Sequence, residues 1–250
     1  MLHYTVTPTG SIPLVLLHGF LESSEIWKLL EPHLDAKFKI IKIDLPGHGK
    51  SPSLFPVNTM ELMADAVLEV TSELGLEKFH LLGHSMGGYT ALAIGEKSPE
   101  KLFSLTLFFS SYFQDSPEKK DLRARSLRVI EENFPAYAKA GIAPLFNPNE
   151  LDSLKEEMEL AKHVALQTSV EGTLASVQGM MERKTRKSVI ENLNVTTLVI
   201  SGKHDQAVSS QELLSDLPER KKIKSYLLDC GHNGHLECPE ICASIINFEL

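Results

Sequence analysis

Cysteine is scarce: three residues in 250, all between positions 230 and 242, leave no spread-out pairs from which a disulfide framework could be built. A reducing compartment, the cytoplasm, is the expected location. No apolar run approaches the ~18 residues needed to cross a bilayer. The opening residues MLHYTVTPTG show neither the basic segment nor the apolar core of a secretion signal. Positive charge is also short, 25 Lys and Arg against 33 Asp and Glu, for a formal charge of −8. That balance argues against a nucleic acid or a membrane surface as partner, because both are approached with clustered basic side chains. A small molecule is the better expectation. No extended apolar helix face lacks an intramolecular partner, so a monomer is expected.

What is present is an alternation. Short β-rich apolar runs, PLVLLHG, KIIKIDL, KFHLLGHS, LFSLTLFFSS, TTLVISG and KSYLLDCG, are separated by longer segments of helical period. This is the pattern of a mostly parallel sheet covered by helices on both faces, and the runs are apolar at consecutive positions because both faces are buried. Met60, Met63, Ala64, Val67 and Leu74 mark a crossover helix with Asn58 as N-cap and Glu61 three residues on. A second helix runs from Met86 to about Lys97, since Pro99 disfavours helical geometry at Ser98. Ser209 and Glu212 form a capping box, and Pro239 opens the last helix. The rhythm breaks between Tyr112 and about Glu191, where helical patches follow one another, the first capped by Ser116 with Pro117 at N1. Residues 112–191 therefore read as a helical insertion into a core made of residues 1–111 and 192–250.

In HLLGHSMGGYTALAI, residues 80–94, an apolar strand stops at Gly83-His84-Ser85-Met86-Gly87 and a helix begins. Glycines on both sides of Ser85 permit a turn too tight for larger side chains, which would project the hydroxyl at the carboxyl end of the sheet, where the following helix directs N–H groups at developing negative charge. A serine hydroxyl is a poor nucleophile unless a base takes its proton, so the reading requires a histidine and an orienting carboxylate. Asp205 follows one later strand and His232 the next, with His235 a rival base and Asp115 another seat for the carboxylate.

The chain resembles the α/β-hydrolase superfamily over nearly its whole length. The resemblance is carried by His18-Gly19-Phe20, DLPGHGKS at 44–51, GHSMGG at 83–88, GKHD at 202–205 and GHNGHLECP at 231–239. It implies a sheet with a helical cap inserted after the sixth strand, in a chain whose sheet is one strand short because only HYTVT and the residues up to Ser11 precede the His-Gly segment. It further implies Ser85 as nucleophile, His232 as base and then acid, Asp205 as the group that fixes the imidazole tautomer, and an oxyanion hole made by the backbone N–H groups of Phe20 and Met86. No cofactor is implied.

Other residues have plainer readings. Asp44 stabilises a turn, and His18 supports the oxyanion loop. Cys230, His232, His235, Cys238 and Cys242 crowd together but lack the paired spacing of a zinc site, and buried cysteines act as small apolar groups. The basic run Lys119, Lys120, Arg123, Arg125 and Arg128 is interleaved with acids and reads as a solvated face. Trp27, Tyr112, Phe113, Met180 and Met181 are candidates for an apolar acyl pocket beneath the cap. The expected reaction is hydrolysis of a small or medium carboxylic ester, thioester or lactone through an acyl-enzyme, since serine at the elbow cannot form the ester intermediate of aspartate-based relatives. The alternatives are carbon–carbon bond hydrolysis or a lyase or synthase step by the same triad, with Arg183 or Arg186 holding a substrate carboxylate, and a slow ligand receptor.

Overall fold

The computed structural model describes all residues, 1–250. Its strands are β1 (Tyr4–Val6), β2 (Ile12–Leu17), β3 (Phe38–Ile43), β4 (Phe79–His84), β5 (Leu102–Phe108), β6 (Thr196–Gly202) and β7 (Ile223–Leu228). They form one sheet in the order β1-β3-β2-β4-β5-β6-β7. Only β1 is antiparallel; the other pairings are all parallel. Parallel strands put their carboxyl ends on one rim, and the loops that leave that rim meet in space whatever their distance along the chain.

The consecutive apolar residues of the strands divide by the period of two between two cores. Val15, Leu17, Ile41, Leu81 and Leu105 pack on one side, against helices α1 (Met60–Glu73) and α2 (Met86–Lys97). Leu14, Leu16, Ile40, Leu82 and Ile200 pack on the other, in a cluster with Trp27 and Ile246. Ile246 belongs to α9 (Pro239–Glu249). At about 1.5–3 kcal/mol per buried large aliphatic side chain, these two layers supply the main driving force for folding.

Between β5 and β6 lie α3 (Pro117–Ala140), α4 (Lys155–Ala165), α5 (Val170–Glu182) and α6 (Lys187–Asn192); α7 (Ser210–Asp216) and the single turn α8 (Gly234–Glu237) complete the helices. The helical insertion thus follows the fifth strand rather than the sixth. One antiparallel strand precedes β2 instead of two, because residues 7–11 make only a turn, with Gly10 at φ +88°. Ser116, Ser209 and Pro239 occupy the helix starts expected of them. The N-cap of α1 is Thr59, whose hydroxyl accepts Leu62 N–H, and not Asn58. Asn58 is buried and donates instead to Pro46 O and Ser176 Oγ, 3.1 and 3.0 Å away. Helix α3 breaks at Asn133, two residues before Pro135, and Asn133 Oδ1 caps the second half by accepting Ala136 N–H. No helix is long and apolar enough to cross a membrane.

Candidate active site

Ser85 sits between β4 and α2 at φ +48°, ψ −113°, a conformation that costs a residue with a Cβ about 1–3 kcal/mol. Neighbouring bonds hold it there. Its N–H donates to Phe108 O at 3.1 Å, and its carbonyl accepts from Gly88 N–H at 2.9 Å and from Ser110 Oγ at 2.7 Å. The glycines are a matter of clearance: a Cβ on Gly83 would stand 2.3 Å from Gly87 O, and one on Gly87 would stand 2.4 Å from Leu17 O.

From the next rim loops come Asp205 and His232. His232 Nδ1 lies 2.7 Å from Asp205 Oδ2, while Asp205 Oδ1 accepts the N–H groups of Ala207 and Val208 at 2.8 and 2.9 Å. Burial alone would raise the Asp205 pKa; the facing imidazole and the two N–H donors outweigh it and hold the carboxyl below its ordinary value. An ionised acceptor at Nδ1 keeps the proton there and turns Nε2 outward with its lone pair. Ser85 and His232 line the same cavity, of about 570 Å³, without a direct hydrogen bond between them. Such contacts are often loose until substrate is bound.

Phe20 also lines this cavity, and Met86 opens α2. Neither backbone N–H donates to a protein acceptor. His18 supports this loop as a neutral ring: Nε2 accepts Leu45 N–H at 2.9 Å and Nδ1 donates to Gly19 O at 2.7 Å. Burial lowers its pKa in keeping with that tautomer. Asp44 holds the adjacent turn, accepting Ser24 N–H at 2.6 Å and Lys50 N–H at 3.0 Å.

Three residues that the sequence left without a role tie these loops together. Glu22 Oε2 accepts Gly19 N–H at 2.6 Å and faces His84 Nδ1 at 2.8 Å, and His84 Nε2 reaches His232 O at 3.1 Å. Both nitrogens of His84 face acceptors, so both carry protons. Burial would push the His84 pKa down, but Glu22 overrides it and the value is raised; Glu22, despite burial, is held well below the usual carboxylate range by His84 and His235. Glu22, His84 and His235 are the one group of three buried ligand-capable side chains with atoms within 4.8 Å of one another. An imidazolium at position 84 has no lone pair to offer a metal. Glu237, the acid five residues after His232, accepts N–H from Gly231 and Asn147 at 2.9 Å and from Asn233 at 3.2 Å, so one carboxylate clamps both sides of His232. The two acids are hard to see in sequence because a backbone N–H leaves no residue-type signature at the donor.

The remaining candidates divide. Met180 lines the cavity. Trp27 does not; it is fully buried against Phe108, His84 and His235. Tyr112 and Phe113 pack on the first core, with Tyr112 OH donating to Asp216 at 3.0 Å, and Met181 packs on the second. Tyr89, Leu122, Tyr137 and Leu145 supply the apolar wall instead. Asp115 is sealed between Arg123 and Arg183 at 2.7 and 2.8 Å, away from His232. His235 is fully buried with Nε2 3.6 Å from Glu22 Oε1, too far for a hydrogen bond, and burial followed by the neighbouring His84 charge lowers its pKa to about 4. Cys230 and Cys242 are buried in the second core, and Cys238 packs against it. Arg186 pairs with Glu61 and Glu96, and Arg183 with Asp115, so neither faces the cavity.

A stretch of 102 residues is 37% identical to the dihydrolipoyllysine-residue acetyltransferase component of the acetoin cleaving system of Pseudomonas putida, and it covers 41% of this chain and 28% of that protein. Over 96% of its length the chain is 26% identical to 2-hydroxy-6-oxononadienedioate/2-hydroxy-6-oxononatrienedioate hydrolase 2 of Pseudomonas putida, covering 87% of that enzyme. Among solved structures, a thermophilic esterase from Thermogutta terrifontis superposes with a TM-score of 0.92 at 30% identity, covering 99% of this chain and 92% of that one. The alpha/beta hydrolase fold family matches residues 12–239. With its seven-stranded sheet, its serine elbow and this match across most of its length, the chain belongs to the alpha/beta hydrolase fold family.

Proposed function

We propose that the protein is a serine esterase that cleaves a small or medium carboxylic ester, thioester or lactone through an acyl-enzyme. Ser85 Oγ attacks the carbonyl carbon as His232 Nε2 takes its proton. The carbonyl oxygen becomes an oxyanion facing the N–H groups of Phe20 and Met86, each donor worth about 3 kcal/mol to the transition state when well aimed. His232 then hands the proton to the departing alcohol. Water, deprotonated by the same nitrogen, attacks the acyl carbon and releases the acid, and the proton returns to Ser85. Asp205 keeps the imidazole in one tautomer throughout.

The observation that carries this reading is the convergence of a strained serine, a His232–Asp205 pair at 2.7 Å and two unpaired backbone donors on one rim. Its similarity to an esterase at 30% identity supports the same bond type. The test is labelling with a fluorophosphonate and turnover of p-nitrophenyl esters: wild type should do both and Ser85→Ala neither. Ester turnover by Ser85→Ala at the wild-type rate would overturn the proposal.

The similarity to a carbon–carbon bond hydrolase keeps a second reaction in view. That reaction assigns a substrate carboxylate to Arg183 or Arg186, and both guanidiniums are committed to buried or bridging ion pairs. Comparing rates on simple esters and on a vinylogous diketone acid separates the two reactions. We place the enzyme in the cytoplasm, where its three free thiols would stay reduced.

A further inference from the structure

The wall of the cavity formed by the cap carries charge. Lys119 and Arg123, one turn apart near the start of α3, both line the cavity with Ser85. They belong to the basic run that reads as a solvated face, and the helix splits that run in two. Arg128 is 82% exposed and pairs along the helix with Glu132, whereas the Arg123 side chain is only 17% exposed.

A buried carboxylate fixes Arg123 in place. Asp115 has no exposed side-chain surface and meets two guanidiniums, Arg123 Nε at 2.7 Å through Oδ2 and Arg183 Nη1 at 2.8 Å through Oδ1. One negative charge shared by two positive ones leaves a net positive charge at this wall. Arg183 does not line the cavity: it donates through Nε to Phe113 O and through Nη1 to Met180 O, and stacks on the Tyr89 ring at 4.1 Å. Arg123 does line it. Its Nε is used, but its two Nη groups donate to no protein atom. Lys119 Nζ gives one N–H to Ala207 O at 2.8 Å, which leaves two. Two acids line the cavity with them: Glu22 pairs with His84, and Glu118 is exposed at the start of α3, one carboxylate beside the two cations Lys119 and Arg123. A planar guanidinium anchored through Nε, with its Nη pair free, matches the two oxygens of a carboxylate.

We infer that Arg123, with Lys119 beside it, is an anion subsite, and that the substrate is an ester carrying a carboxylate at a distance from the bond to be cleaved. This rests on the proposed ester hydrolysis. The chemistry at Ser85 is unchanged; the subsite orients the substrate from its far end, and binding energy gained there is available to align the carbonyl over the serine.

The test measures kcat/KM on matched pairs that differ only in the distal group. One pair sets mono-p-nitrophenyl suberate against p-nitrophenyl octanoate, and another sets 4-carboxyphenyl butyrate against 4-carbamoylphenyl butyrate, so the charge is tried on both sides of the ester. Wild type should favour the anionic member of at least one pair by about tenfold or more, as expected for charge-assisted pairing in a part-buried site. Arg123→Gln should abolish most of that preference and Lys119→Gln part of it. Arg128→Gln, which removes the same charge from the outer face, should leave it intact. Fluorophosphonate labelling of Ser85 and a thermal melt show whether each variant is folded. Should Arg123→Gln prove misfolded, the Lys119→Gln ratio decides. Equal rates on both members of both pairs, or a preference that survives Arg123→Gln, would overturn the subsite while leaving esterase activity standing. Failure of wild type to turn over any of the four esters would overturn the esterase reading, and the subsite with it.

Discussion

The two walls of the cavity are held by different physics. On the core side, position is set through the backbone: the elbow at Ser85 by bonds to Phe108, Gly88 and Ser110, the His232 loop by the Glu237 carboxylate, and the Phe20 loop by Glu22. On the cap side, position is set by side-chain charge, with Asp115 gathering Arg123 and Arg183. Backbone bonds locate atoms to within a few tenths of an ångström, which suits bond making; a charged wall suits recognition at longer range. Disturbance of the core side should therefore appear first in kcat, and disturbance of the cap side in the choice of substrate.

The hardest break on the core side is Ser85→Ala, which should lower kcat/KM by about 10⁴-fold or more with little change in melting temperature, because only the proposed nucleophile is lost. Stopped assays and a thermal melt check both halves. Asp205→Asn should follow at about 10³-fold, since an amide at that position can no longer hold the proton on His232 Nδ1, and ester turnover at high enzyme concentration measures it.

Glu22→Gln should cost about 3 kcal/mol of stability by leaving a buried imidazolium without its partner. It should also lower kcat by roughly tenfold through the slackened Phe20 loop. Denaturant unfolding and steady-state kinetics measure the two effects. The pH dependence has a definite sign. His84 has a raised pKa, so its contribution is complete below the ordinary value of 6.5 and is lost as pH rises through the raised one. Glu22 is depressed, so its contribution is complete above 4.5 and is lost as pH falls through the lowered value. The pair thus stabilises most between those two ordinary values, with His235 and His232 as the facing titratable groups. Wild-type melting temperature should fall as pH rises from about 6.5 to about 9, and the fall should shrink in Glu22→Gln.

The smallest effect is expected at Tyr112→Phe. Its hydroxyl meets Asp216 and not the cavity, so the change should cost about 1 kcal/mol or less and leave ester turnover and chain-length preference unchanged. A changed chain-length profile would return Tyr112 to the substrate wall.

The parts legible in sequence are those where geometry forbids most residue types. Gly83 and Gly87 announce the elbow because backbone atoms stand 2.3 and 2.4 Å from where a Cβ would be. Parallel strands must deliver their following loops to one rim, which makes Asp205 and His232 candidates along with Asp115 and His235; the resemblance singles out the first two, and the structure pairs them at 2.7 Å. In sequence Trp27, Tyr112, Phe113 and Met181 look like pocket residues for want of a third dimension: a large apolar side chain has the same signature whether it faces a cavity or a core. Glu22 and His84 are 62 positions apart, with nothing in either neighbourhood to signal the other.

From the sequence alone came the layered sheet, its helical interruption and the glycine-flanked serine, because local periodicity and steric limits on turns act over a few residues and leave a pattern in the chain; the choice of acid and histidine came from the resemblance. The tertiary structure decided which ionisable groups are neighbours. It paired Glu22 with His84, set Glu237 across the His232 loop, bound two guanidiniums to Asp115 and turned Arg123 inward while Arg128 faces water. Charge interactions depend on distance and burial, and neither quantity exists until the chain has folded.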